Sequence, residues 1–436
     1  MRPLRPILAL AALAALSACG DREELLPGPR EDVRGELGLA QAAPAALAPV
    51  AIALPVPRRT AAWPMRGGAA DNDPGHAALG AAPAPLWSVQ IGEGNARRRT
   101  ITADPVSDGA RLFAMDSLQR VVALDRAGRL LWSRDLTPPS DRPGEASGGG
   151  LAVVGGTLYA TTGFGELHAL DAASGAPRWV QRLDAPLASP KVGGGLVHVV
   201  ARDGRAWAIE ASTGRLRWEI PAAPAAIVSA HAPGPALAGR QVVLPFGSGE
   251  VVSALAGTGI ETWRAAIFGG RLGTALAAVD DMLGDPVIAD GRVYVSSLSG
   301  RTIALDPATG ERLWTARDGA VSPPVAVGGA LFLASDRNQL VRLDAATGAP
   351  VWRRDLPFYL ADRTERRDAV HALHGPVLAG GRLWVASSDG WLRGFSPASG
   401  ALAAALPVPG GAASRPIVVD GAIYVMGADG SLNAYR

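Results

Sequence analysis

One cysteine, Cys19, and one lysine, Lys191, occur in the 436 residues of this chain. A lone cysteine excludes an internal disulfide and a Cys-ligated metal site. With a single lysine, the basic character rests on arginine. Aromatic residues are 5% and charged residues 19% of the chain. The charged share is low for a soluble protein. The apolar run Ile7–Leu16 is too short to cross a bilayer. Glycine and proline are plentiful instead, at 54 and 35 residues. That supply suits many short strands joined by tight turns.

The N-terminus carries a targeting pattern. Arg2 and Arg5 form a positive start, the Ile7–Leu16 run follows, and Leu16-Ser17-Ala18-Cys19 ends it. The last four residues resemble a bacterial lipobox. That resemblance implies cleavage before Cys19 and acylation of its sulfur and its new amino group, which leaves no thiol nucleophile. Gly20 follows Cys19, and Asp21 comes one place too late for the usual inner-membrane retention signal, so the sorting rules imply the outer membrane. Several acyl chains would anchor the protein stably there. Residues 1–18 are thus expected to be a signal peptide and 19–62 an Ala/Pro-rich, mostly extended tether; 63–436 form the folded domain. Within the tether, Leu26-Pro27-Gly28-Pro29-Arg30 is either a docking segment or plain linker. Without Arg2 and Arg5 the basic side chains equal the 40 acidic ones. A neutral chain gives no reason to propose nucleic acid as a partner.

A repeat organises the rest. The unit Leu-Asp-x-x-Thr/Ser-Gly-x-x-x-Trp occurs at Leu170–Trp179, Leu305–Trp314 and Leu343–Trp352. Looser copies centre on Gly128/Trp132, Gly214/Trp218 and Gly259/Trp263. Gly400 belongs to a copy with Ala404 in place of the tryptophan, and Trp87 stands alone upstream. A period of roughly 40–45 residues in a strand-rich chain points to propeller blades. Within a unit, a Pro-led strand such as Pro286-Val287-Ile288 precedes the turn Asp290-Gly291. The alternating strand Arg292–Ser296 comes next, then a turn at Ser299-Gly300, then Thr302–Leu305 and the strand bearing Trp314.

Two independent tallies agree on eight units. First-strand starts fall at Pro105, Leu151, Pro190, Pro235, Pro286, Pro323/Pro324, Pro376 and Pro416, and fourth-strand positions run from Trp87 to Ala404. The chain opens on a fourth strand and ends on three strands lacking theirs. The expected fold is therefore all-β: an eight-bladed propeller of four-stranded antiparallel blades, closed by pairing its N- and C-terminal strands. Closure removes the open sheet edges. Trp87, Trp132, Trp179, Trp218, Trp263, Trp314 and Trp352 are read as packing devices between neighbouring blades.

Other candidate chemistry is sparse. His371 and His374, with Asp368 nearby, lack the further ligands a metal site needs, so no metal is expected. Arg97-Arg98-Arg99 and the arginines between Arg363 and Arg367 read as solvated loops, with lipid headgroup contact as the alternative. Gly148-Gly149-Gly150 and Gly193-Gly194-Gly195 precede no helix and form no phosphate cradle. No nucleophile–base arrangement stands in a recognisable context, so no catalytic residue is assigned. Connectors between blades are uneven, and the long ones leave Trp218, Trp263 and Trp352. The first two come from consecutive blades. One holds the apolar Ile227 and Val228; the other holds Arg271, Asp280 and Asp281. Together they make a candidate partner surface.

The repeat resembles that of the pyrroloquinoline quinone dehydrogenases. Their vicinal disulfide is impossible here, and no Glu/Asn/Asp calcium set is evident, so no cofactor and no enzymatic activity are expected. The combination of lipobox, eight units and closing offset resembles the BamB family of outer-membrane β-barrel assembly lipoproteins. Two segments, Leu26–Arg30 and Trp63-Pro64-Met65-Arg66-Gly67-Gly68, are similar to α-proteobacterial members. The resemblance implies a non-enzymatic scaffold in the Bam complex, lipid-anchored in the outer membrane and facing the periplasm. It would bind the POTRA domains of BamA and assist insertion of barrel proteins. It further implies contact through two adjacent loops, one apolar with an arginine and one with paired acids. Asp281 matches one acidic position, while Leu283 stands at the other. Unfolded outer-membrane proteins are a further possible partner, through strand addition at exposed outer strands. A different class stays open: an envelope-anchored propeller that binds a polysaccharide or a cell-wall component.

Overall fold

A computed structural model describes residues 50–223, 232–268, 282–361, 363, 366, 367 and 369–436. It contains eight four-stranded antiparallel sheets and, among the described residues, no α-helix. This is the propeller expected from the repeat. Blades 1 to 7 cover residues 106–135, 149–182, 191–221, 236–266, 287–316, 325–355 and 373–407 in chain order. In blade 8 the strands Ile417–Val419, Ala422–Met426 and Ser431–Tyr435 are completed by Pro85–Gln90. That strand pairs antiparallel with Ser431–Tyr435, setting Trp87 opposite Ala434.

Strands within a blade are named a to d. In blade 2 they are Gly149–Val154, Thr157–Thr162, Glu166–Asp171 and Pro177–Arg182. Antiparallel alternation puts the a–b and c–d turns on one face, the turn face. The b–c turns and the links to the next blade lie on the other, the connector face. Strands a to c are buried almost throughout, while d alternates between exposed and sheltered positions. That asymmetry reflects blade stacking, with only the outermost strand meeting water along its length.

The c–d turn explains the repeat. In blade 2, Asp171 Oδ1 accepts hydrogen bonds from the backbone N–H of Ala173 and Ser174 and from Ser174 Oγ. With Arg178 alongside, these donors hold the Asp171 carboxyl well below the usual carboxylate range. Gly175 then takes φ +71°, a left-handed conformation that disfavours any side chain. A Cβ there would also lie 2.7 Å from the Trp132 ring of blade 1. So each glycine is required twice, by its own turn and by the neighbouring tryptophan.

Each of those tryptophans docks on the c–d turn of the following blade. Its indole N–H donates to a turn carbonyl: Trp87 to Arg126, Trp132 to Ala172, Trp179 to Ala211, Trp218 to Ala256, Trp263 to Pro307, Trp314 to Ala345 and Trp352 to Pro397. In the same blade most of them also pack on a ring of strand b, as Tyr159 packs on Trp179 and Phe332 on Trp352. Ala404 is the exception for a physical reason. The next blade is blade 8, whose c and d strands come from opposite ends of the chain and share no turn. Blade 7 keeps its aromatic volume on strand b instead. Trp384 lies over Gly394, which stands between it and Ala404 in the register.

Residues 50–62, which the sequence assigns to the tether, lie against the propeller. Ile52 and Leu54 pack on the core of blades 6 and 7, and Arg342 donates to the carbonyl oxygens of Val50 and Ala51. The chain continues round the turn face as a strap. Trp63 bridges Ser107 of blade 1, Met65 bridges Ala152 of blade 2, Leu237 of blade 4 donates to Ala70 O, and Ile288 of blade 5 donates to Asp71 O. Ala77 bridges Ala379 of blade 7, and Leu79 bridges Gly421 of blade 8. The strap thus satisfies backbone groups at the ends of a strands around the ring.

Candidate partner-binding face

Function on this scaffold is sought where chain length varies while the blades do not. Two long connectors flank blade 4 on the connector face. Their central parts, residues 224–231 and 269–281, lie outside the described residues, and so do Ile227, Val228, Arg271, Asp280 and Asp281. Cys19 lies outside them as well. What the structure places are the roots. On the exit side, Ala223 N–H donates to Glu250 Oε2 at 2.8 Å. Glu250 in turn pairs with Arg264 at 2.9 Å, and these contacts keep its carboxyl below the usual range despite burial. Ile267 N–H donates to Gly249 O, and Phe268 follows, 60% exposed. On the return side, Gly234 N–H donates to Asp285 Oδ1 at 2.7 Å. Both connectors are therefore tied to the same blade, and their return roots to each other.

The return roots meet a buried polar cluster. Arg66, carried by the strap, sets its Nε 3.3 Å from Asp285 Oδ2 and 3.7 Å from Asp104 Oδ2. Asp104 precedes blade 1 and Asp285 precedes blade 5, and these blades face each other across an eight-membered ring. Arg66 therefore spans the axis. Its guanidinium also donates to Ala232 O at 3.4 Å and to Leu283 O at 3.5 Å. Lys191 Nζ donates to the carbonyls of Arg66 and Ala69. Burial pulls its pKa down to about 7, with Asp285 opposing and Arg66 assisting. Arg415 N–H donates to Asp104 Oδ1 at 2.9 Å, and burial lowers the Arg415 pKa.

Beside this cluster a cavity of about 310 Å³ lies among residues of blades 1 and 5 to 8, with Arg66, Leu283, Asn338, His374 and Arg415 in its wall. His374 is held neutral: burial takes its pKa down to about 4. His371 Nδ1 lies 3.3 Å from Ser388 Oγ. Asp368 is outside the described residues, and among the described ones no three His, Cys, Asp or Glu side chains are grouped to hold a metal. Asp104 and Asp285 are committed to Arg66 and to backbone N–H donors, an arrangement unlike an open cation site.

Sequence reasoning found the connectors by their length. It missed the axial cluster, although Arg66 belonged to a segment it had singled out. A usable signal was present. The residue before each first-strand proline recurs at the same place in the blade, and Asp104, Asp285 and Arg415 are the charged ones.

The ring, its tryptophan–turn docking and its strap define a propeller scaffold built on a repeated tryptophan motif. The fold likeness is broad. A crystal structure of BamB from Moraxella catarrhalis superposes with a TM-score of 0.66 at 19% identity, covering 81% of this chain and 100% of that one. Quinohemoprotein alcohol dehydrogenase from Comamonas testosteroni gives 0.64 at 15% identity, covering 87% and 81%. Sequence is more specific: this chain belongs to the family described as outer membrane protein assembly factor BamB, whose model matches residues 117–354. The Yersinia pestis protein of that description is 24% identical over 376 residues, covering 81% of this chain and 88% of its own. That of Moranella endobia is 25% identical over 246 residues, covering 55% of this chain and 63%, just under two thirds, of its own.

Proposed function

We propose that this protein is a non-enzymatic scaffold of outer-membrane β-barrel assembly. It is anchored in the outer membrane through lipid on Cys19, faces the periplasm, and assists insertion of barrel proteins by binding the POTRA domains of BamA. The observation that carries the reading is the pair of long connectors rooted side by side on blade 4. Their exit roots are fixed to that blade by Glu250 and Gly249, and their return roots to each other through Gly234 and Asp285. A rigid base with two neighbouring loops suits recognition of a folded partner more than turnover of a small molecule. Ile227 and Val228 supply the apolar part of the surface, and Arg271, Asp280 and Asp281 the charged part. The test is the double variant Ile227→Asp with Asp281→Lys, which is expected to abolish association with BamA while the protein stays folded. Unchanged association would contradict this docking surface and favour a different envelope ligand, such as a polysaccharide or cell-wall component.

A further inference from the structure

We infer that Arg66 is a positioning residue for the partner surface, acting from the strap on the opposite side of the ring. This rests on the docking reading above and adds a residue that is in neither connector. The strap's backbone pairs with the far ends of a strands, on the turn face. The Arg66 guanidinium reaches Asp104 and Asp285, which precede the a strands, so its side chain runs along the axis toward the connector face. There it touches both return roots, at Ala232 O and Leu283 O. The same Asp285 that pairs with Arg66 receives Gly234 N–H. One planar guanidinium thus joins two loop roots, and two carboxylates hold its charge. Its side chain is 8% exposed and that of Asp285 fully buried, so water competes weakly for these contacts. Only arginine offers a rigid fork of several donors on one charge; lysine supplies a point charge that satisfies fewer acceptors at fixed angles. Asn72, also on the strap, donates to Pro235 O at 3.2 Å and Pro286 O at 2.8 Å, one step further along the same two roots. Two strap side chains therefore make the same paired contact, so the strap holds the spacing between the connectors.

The test uses the full-length protein as wild type, Arg66→Leu and Arg66→Lys, with Arg178→Ala in the outer strand of blade 2 as control. Hydrogen exchange is followed segment by segment, together with thermal melting and retention of the proposed partner. In Arg66→Lys the charge facing Asp285 is kept, so melting is expected to match wild type. The connector roots around 232–235 and 282–286 should nonetheless exchange on the order of tenfold faster, with blade 2 unchanged. Partner retention is expected to fall with them. Arg66→Leu removes the charge as well and should show the same local loosening more strongly. Should Arg66→Leu fail to fold, the lysine variant carries the test. Root exchange equal to wild type in Arg66→Lys, or acceleration spread evenly over all blades, would overturn the positioning role. If wild-type protein retains no partner, the docking reading fails, and the exchange result still decides whether Arg66 sets the connector roots.

Discussion

At the residue scale, the repeated tryptophan and the glycine four places before it are two halves of one contact in adjacent blades. Trp314 is 8% exposed and meets Gly348 of blade 6. Trp314→Ala should cost about 3–5 kcal/mol in denaturant unfolding, as for other large buried aromatics. Ala404→Trp should destabilise by about 1–3 kcal/mol, since blade 7 is already filled by Trp384 and no turn awaits a second ring. A gain in stability from Ala404→Trp would show that the turn is not what the tryptophan needs. The sequence displayed this missing tryptophan but not its cause, which depends on where the chain ends meet.

Buried bases set the pH response. His198 packs tilted against Trp218, ring centroids 5.6 Å apart, and burial takes its pKa down to about 4; His374 behaves alike. Both are protonated more readily when unfolded. Their stabilisation is complete above the unfolded pKa of about 6.5 and is lost as pH falls toward 4. Lys191 follows the same sign higher up, with a folded pKa of about 7 against 10.5, so stability should keep rising from pH 7 to 9. Melting temperature against pH is the measurement. His198→Phe should flatten the acid limb, because other blades carry Phe113 or Phe332 at that register position. Lys191→Met should flatten the upper limb. A wild-type melting temperature that falls between pH 7 and 9 would contradict the assignment for Lys191.

At the element scale, the blades were legible because each strand is short, bounded by Gly or Pro, and repeated. The strap was not. Residues 50–79 have no period, and their backbone partners are the ends of strands far away in sequence, as Ala70 with Leu237 and Asp71 with Ile288. Composition rich in Ala and Pro therefore read as linker up to residue 62. Asn72 gives the strap a measurable anchor. It is buried at φ +66°, a conformation Ala resists. Asn72→Ala removes both of its donated hydrogen bonds and leaves the carbonyls of Pro235 and Pro286 without that donor. It should cost about 2–3 kcal/mol and make the strap cleavable by protease before the blades unfold. Strap and blades cleaved together would mean that they form one cooperative unit. The candidate site was half legible for a similar reason. Connector length shows in the sequence, whereas the axial meeting of Arg66, Asp104 and Asp285 joins residues about 40 and 220 positions apart.

At the scale of the whole molecule, the ring holds because its ends belong to one sheet. Pro85–Gln90 lies on Ser431–Tyr435, and Tyr435 Oη donates to Pro407 O of blade 7 at 2.7 Å. Asp420 adds a clasp between Arg59 of the strap and Arg126 of blade 1. Deleting residues 423–436 should therefore do more than shorten a tail. It should expose two sheet edges, abolish the single cooperative melt and drive association, read by calorimetry and sedimentation. A truncated chain that melted cooperatively as a monomer would contradict the closure account.

The central functional claim is that this closed ring is a docking scaffold in barrel assembly. Its most direct test is mild-detergent capture of the tagged, lipidated protein from its native envelope, with mass spectrometry of what comes with it. The account predicts BamA in near-stoichiometric amount. Folded, outer-membrane-located protein captured without BamA would contradict it and leave the propeller itself untouched.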